Sequence, residues 1–134
     1  MYRSGTSGLE VLLVHPGGPF WRRRDLGAWS IPKGEHEEGE EPAAAARREF
    51  AEELGLPAEG ALEPLGEVRQ KAGKLVTAFA LRGDCDPSAI RSNDFEMEWP
   101  PRSGRRQIFP EVDRAEWFSL PAAREKILPA RRAE

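Results

Sequence analysis

Glu49, Glu52 and Glu53 stand at positions i, i+3 and i+4 of the run GEHEEGEEPAAAARREFAEELGL, which spans Gly34 to Leu56. On an α-helix that spacing sets three carboxylates on one face. Like charges so arranged repel one another, and a bound cation resolves the conflict. Carboxylate oxygens suit a hard divalent ion such as Mg²⁺ or Mn²⁺, which is usually held by a few carboxylates together with substrate phosphates. Arg48 lies four residues before Glu52, within reach for charge-assisted hydrogen bonds that fix a carboxylate rotamer, so its role is to orient rather than to react.

The spacing extends further. Gly34, Glu40, Arg48, Glu49, Phe50, Glu52, Glu53, Gly55 and Leu56 read as a glycine, five residues, a glutamate, seven residues, then Arg-Glu-apolar-x-Glu-Glu-x-Gly-apolar. With this chain's usage of Glu and Arg, accidental full matches are expected on the order of 10⁻⁵ times. The segment resembles the Nudix box without mismatch or gap. The resemblance implies an α/β/α sandwich around a mixed β-sheet. It also implies hydrolysis of a nucleoside diphosphate linked to some other group, with divalent ions held by Glu49, Glu52 and Glu53 and by the backbone carbonyl of Gly34. The general base is then Glu49 or a carboxylate on a later loop such as Glu111, with Glu98 as its rival. Glu40 is expected to support the loop between Gly34 and the helix through backbone hydrogen bonds.

Immediately upstream, Trp29-Ser30-Ile31-Pro32-Lys33-Gly34 resembles the W-x-x-P-K-G lead-in of Nudix hydrolases of dinucleoside polyphosphates, which some nucleotide-sanitising members share. Lys33 is a compact charge suited to a substrate phosphate, or else an ordinary surface lysine. Trp29 reads as core rather than as a base-stacking platform. His15 and His36 fall on different elements without metal-ligand spacing and read as non-catalytic. Three functions follow as expectations: hydrolysis of dinucleoside polyphosphates or related nucleotides, sanitising hydrolysis of damaged nucleoside triphosphates, and nucleotide sensing or RNA 5′-end processing.

These side chains need a scaffold. Pro42 suits a first helical position and Gly55 the left-handed residue after the last turn, so a helix is expected over Pro42 to Leu54. Ala43, Ala46, Phe50 and Leu54 form its apolar stripe, next to the carboxylate face. Leu9 to His15 is an apolar run of buried-strand length, ended by Pro16-Gly17-Gly18-Pro19. An extended stretch is expected from Gly27 to Gly34, a hairpin from Gly66 to Gln70 and Lys74 to Leu81, and an edge strand over Phe95 to Trp99. Further strands are expected at Gln107 to Val112 and Ala115 to Ser119, with a closing helix over Pro121 to Leu128. Met1 to Gly8, short and polar, reads as a ragged end where the family carries a strand. Either that strand is largely missing or a partner, in a homodimer, completes the edge. Pro129 to Glu134 reads as a frayed tail.

At 134 residues, the chain is expected to form one domain over its whole length. A formal net charge of -3 argues against an extensive nucleic-acid surface and for a small nucleotide substrate. Arg22, Arg23 and Arg24 form one local basic cluster and Arg102, Arg105 and Arg106 another. They are solvated loop charge, or one of them contacts substrate phosphate. Cys85 is the single cysteine, which excludes an internal disulfide. With no signal-peptide pattern and no apolar run of bilayer length, the expected location is the cytoplasm.

Overall fold

Strand β2 (Gly8–Pro16) sits between β1 (Tyr2–Gly5) and β7 (Val112–Ser119), antiparallel to both. The computed structural model describes residues 1–6, 8–32, 40–69 and 75–127. Two hairpins accompany the central strands: β3 (Leu62–Arg69) with β4 (Leu75–Leu81), and β5 (Asp94–Glu98) with β6 (Arg106–Pro110). β1 meets Arg82, just past β4, in a parallel bridge, and the Gly83 N–H donates to the Tyr2 carbonyl at 3.0 Å. Parallel and antiparallel pairing therefore coexist, as a mixed sheet requires.

Alternation along β2 separates two cores. Leu12 and Val14 point to one face and pack with Phe50 and Leu54 of helix α1 (Pro42–Leu54) and with Val112 and Ala115 of β7. Leu13 points to the other face and packs with Ala28, Trp29, Phe118 and Ala123, the last on helix α2 (Leu120–Lys126). A period of two on the strand thus places one helix on each side of the sheet. Side chains such as Phe50 and Leu54, buried to this degree, each contribute about 1.5–3 kcal/mol. The fold is α/β with helices on both faces. Trp29 is 1% exposed and belongs to the core, as its sequence context indicates.

Helix α1 keeps the bounds its sequence signals set. Pro42 enters at the first turn, and the Glu41 carboxylate accepts from the backbone N–H groups of Ala43 and Ala44 at 3.2 and 3.3 Å. Gly55 closes the helix at φ 68, donating its N–H to the Ala51 carbonyl at 2.7 Å. The Arg91 N–H satisfies the Leu54 carbonyl at 2.7 Å. The buried stripe is Ala45, Phe50 and Leu54; Ala43 and Ala46 are only half-buried. The helix is rotated slightly from the orientation its apolar residues alone favour, with Ala45 turned inward.

The N-terminus departs from expectation. Tyr2–Gly5 is a paired strand and not a ragged end, in register Tyr2 with Val11 through Gly5 with Gly8. Backbone pairing carries it, supported by Met1 packing on the α1 side of the core. Arg3 adds ion pairs to Glu10 at 2.8 Å and Asp84 at 2.7 Å. The chain's own β1 thereby takes the edge that the sequence leaves for a partner subunit. The remaining strands follow the expected order with shifted ends: β3 starts at Leu62, β6 stops at Pro110 and β7 starts at Val112. Ala72 and Gly73, around which the hairpin is expected to turn, and the tail Pro129 to Glu134 lie outside the described residues.

Gly55→Ala tests how α1 is terminated. A left-handed non-glycine residue costs about 1–2 kcal/mol, and the added Cβ would overlap the Arg91 carbonyl oxygen. Urea unfolding is expected to show a loss above about 2 kcal/mol; a loss under about 0.5 kcal/mol would mean that this turn is not the helix stop.

Candidate metal-binding active site

The exposed flank of α1 carries the acidic residues, and Arg48 is their common partner. Its Nε donates to Glu40 Oε2 and its Nη2 to Glu40 Oε1, both at 2.8 Å, a two-pronged pairing of guanidinium and carboxylate. Its Nη1 lies 2.9 Å from Glu49 Oε1 and 3.2 Å from Glu52 Oε2. Among the described residues, one cation therefore touches three carboxylates. The bonds to Glu40 raise the Arg48 pKa above the ordinary arginine value, with Glu49 adding to the effect, so Arg48 stays charged throughout the working range.

These contacts give Glu40 a partner that its spacing does not announce, the Arg48 guanidinium; residues 34–39, whose backbone it is expected to support, lie outside the described residues. Because Glu40 precedes the helix by two residues and Arg48 sits in its second turn, the pairing ties the chain just before α1 to the helix. The side chain of Glu49 is 16% exposed and that of Glu52 is 45% exposed, which grades the flank from a shielded to a solvated carboxylate. Glu53 is half-buried on the same flank.

Among the described residues, no three acidic, histidine or cysteine side chains stand close enough to encase an ion. Glu49 and Glu52 each direct an oxygen to Arg48 Nη1, while Glu53 lies one position around the helix. Lys33, Gly34 and His36 lie outside the described residues. The donor set nonetheless fits a hard divalent cation. It consists of carboxylate oxygens on one rigid element, oriented by Arg48.

Glu111 and Glu98 fall elsewhere. Glu111 links β6 to β7, with an exposed side chain. Its backbone N–H donates to the Asn93 carbonyl at 2.8 Å, and its carbonyl accepts from Gly17 at 2.9 Å. Glu98 ends β5 and is exposed. Among the described residues, neither carboxylate bonds to the α1 flank. His15 is fully buried, with Nδ1 at 2.9 Å from Asp113 Oδ1 and Nε2 donating to the Arg24 carbonyl at 2.7 Å. It joins β7 to the segment after β2, in keeping with the absence of metal-ligand spacing.

Sequence reasoning missed two supports of the site. Arg47 donates from both terminal nitrogens to the Ala58 and Gly60 carbonyls, fastening the segment after α1 back onto the helix. Only the adjacent Arg47-Arg48 pair marks this in sequence, since consecutive helical residues diverge by 100° and two arginines there cannot serve one partner. Glu40 lies eight residues from Arg48, a spacing that identifies no partner until the helix start is fixed.

A sheet covered by a helix on each face carries, on the flank of one of those helices, acidic side chains gathered around Arg48. The family model for the NUDIX domain matches residues 2–134, and the chain belongs to that family. It is 35% identical over 119 residues to an octanoyltransferase of Myxococcus xanthus, a match covering 88% of this chain and 29% of that protein. It is 47% identical over 51 residues to the RNA pyrophosphohydrolase of two Caulobacter vibrioides strains, covering 34% of this chain and 30% of theirs. The chain thus spans less than a third of the curated relatives it matches. Among the described residues no helix is long and apolar enough to cross a membrane.

Replacing Arg48 tests its positioning role. Arg48→Ala is expected to lower kcat about 100-fold with a smaller change in KM, because misplaced carboxylates are felt chiefly in the transition state. Arg48→Lys keeps the charge but loses the two-pronged geometry, so it should recover only part of the rate. Full activity in Arg48→Lys would show that charge alone suffices; full activity in Arg48→Ala would remove Arg48 from the site.

Proposed function

We propose that this chain hydrolyses a phosphoanhydride bond in a nucleoside diphosphate linked to another group, with Mg²⁺ or Mn²⁺ as cofactor, and that its preferred substrates are dinucleoside polyphosphates. The observation that supports this is the Arg48-centred grouping of Glu40, Glu49 and Glu52 on the flank of α1, within a chain of the NUDIX family. Glu49, Glu52 and Glu53, together with the carbonyl of Gly34, would hold the divalent ion. When bound, divalent ions neutralise the phosphate oxygens and acidify an attacking water.

The chain's own groups do the rest. Glu40 and Arg48 fix the rotamers of the carboxylates, so that little reorganisation is needed as charge develops. Glu49 or Glu111 accepts the proton of the attacking water as its oxygen bonds to phosphorus. The bridging P–O bond breaks, and the leaving phosphate departs with the electron pair. Glu49 has the geometric advantage, being on the flank itself and largely shielded. Lys33 neutralises a phosphate beyond the cleaved bond. The W-x-x-P-K-G lead-in and Lys33 favour long, highly charged substrates, because each added phosphate recruits another positive partner.

A second reading, removal of phosphate from an RNA 5′ end, is favoured by the likeness to the Caulobacter vibrioides RNA pyrophosphohydrolase. That match covers only about a third of each chain, so the RNA substrate is a weaker assignment here. The octanoyltransferase name describes a protein of which this chain matches 29%, and nothing in the acidic flank supports acyl transfer.

A substrate panel with Mg²⁺ decides between the readings. Diadenosine tetraphosphate is expected to show a higher kcat/KM than ADP-ribose, an oxidised deoxyguanosine triphosphate or a 5′-triphosphorylated oligoribonucleotide. At least tenfold preference for any of these others would overturn the substrate assignment and leave the hydrolase standing. Glu52→Gln or Glu53→Gln should remove most turnover while preserving the circular dichroism spectrum and Tm, since neither side chain belongs to the core and a partly exposed pair such as Arg48–Glu52 contributes about 0–1 kcal/mol. Near wild-type rates at limiting Mg²⁺ in either variant would exclude that residue as a ligand.

A further inference from the structure

The segment after β2 packs along the β5–β6 hairpin and brings the two arginine clusters onto one surface. Gly18 lies against Phe95, where an added Cβ would stand 2.9 Å from the ring. Two residues on, Phe20 meets Trp99 edge to face, with centroids 5.4 Å apart. The segment therefore meets the Phe95 and Trp99 rings through Gly18 and Phe20. Across the tip, the Trp99 N–H donates to the Arg105 carbonyl at 2.9 Å, which sets Arg105 opposite Trp99; Arg102 lies on the intervening turn. Arg22 and Arg23 follow Phe20 and are exposed.

Charges here are not consumed locally. Arg24 stacks on Trp21 at 5.5 Å and Arg106 pairs with Glu96 at 2.6 Å. Arg22, Arg23, Arg102 and Arg105 have no carboxylate partner among the described residues. Exposed Glu98 beside Trp99 offsets one of these charges, and four arginines without a carboxylate partner among the described residues still leave a local positive excess in a chain of formal net charge -3. Phe20 is 59% exposed, although its neighbour Trp99 offers a surface to bury it. Apolar rings left in solvent among unpaired arginines match a ligand that carries both flat bases and phosphates.

We propose that Phe20 and Trp99, flanked by Arg22, Arg23, Arg102 and Arg105, form a docking surface for a short single strand of nucleic acid. Four arginines match about four phosphates, a short strand and not a duplex groove. Arginines hold the phosphates, the exposed ring stacks on a base, and sequence preference is slight because every base has a π face. The surface is independent of which phosphoanhydride the chain cleaves, since none of its residues belongs to the α1 flank.

Fluorescence anisotropy with a labelled, 5′-hydroxyl oligouridylate in EDTA tests this, because such a probe offers neither a terminal phosphate nor metal to the acidic flank. Saturable binding is expected, with log Kobs falling against log salt at a slope of about −3 for four phosphate contacts. Arg22→Glu combined with Arg105→Glu should weaken binding at least tenfold. Phe20→Ala should weaken it about tenfold for the oligonucleotide and leave binding of inorganic polyphosphate unchanged. Both sites are solvent-exposed, and an unchanged Tm confirms that the variants fold. No binding by the wild type overturns the proposal. So does equal loss of oligonucleotide and polyphosphate binding in Phe20→Ala, no loss of either, or tighter binding to phosphatidylserine vesicles than to the oligonucleotide.

Discussion

Repulsion among the carboxylates of α1 is the constraint around which this chain is organised. Glu49, Glu52 and Glu53 share a helix flank, an arrangement that destabilises any helix that carries it and that the proposed metal role would require. Arg48 relieves the conflict within the protein by touching Glu40, Glu49 and Glu52 at once. The same contact that reduces repulsion also fixes the direction of each carboxylate. Stability and function are therefore linked at one guanidinium, and a lysine, with a single point charge, cannot reproduce both.

The rest of the fold keeps that flank rigid and accessible. Phe50 and Leu54 press the opposite side of α1 onto Leu12 and Val14, so the helix cannot roll without exposing core. Gly55 and Arg91 end the helix, and Arg47 fastens the chain that leaves it. On the other face of the sheet, Trp29, Phe118 and Ala123 fill an independent core. Asp25 reinforces it by accepting from Trp29 Nε1 at 2.9 Å and from Lys126 of α2; the Lys126 bond, then that of Trp29, holds its carboxyl below the usual range. The lead-in to the acidic box thus emerges from a tightly held element.

Local signals were legible and long-range ones were not. The bounds of α1 followed from Pro42 and Gly55, each of which acts on its own backbone, and β2 followed from an unbroken apolar run. β1 was invisible because its pairing is carried by backbone groups and by Arg3 reaching Asp84, 81 residues away. The inward turn of Ala45 depended on what α1 packs against, which a periodicity of alanines does not specify. Strand character at Phe95 and Gln107 was readable, but their pairing and the approach of Phe20 to Trp99 required the fold. At the site, residue identities came from spacing, whereas the Glu40 to Arg48 clamp arose from side-chain geometry that spacing alone does not encode.

The central claim is that the α1 flank binds divalent metal through its glutamates. Titration of Mn²⁺ with the purified protein, followed by the electron paramagnetic resonance signal of the unbound ion, measures this without a substrate. Wild-type protein should remove Mn²⁺ from solution saturably, and Glu52→Gln combined with Glu53→Gln should abolish that uptake while the protein stays folded. Equal Mn²⁺ uptake by the wild type and the double variant would contradict the account.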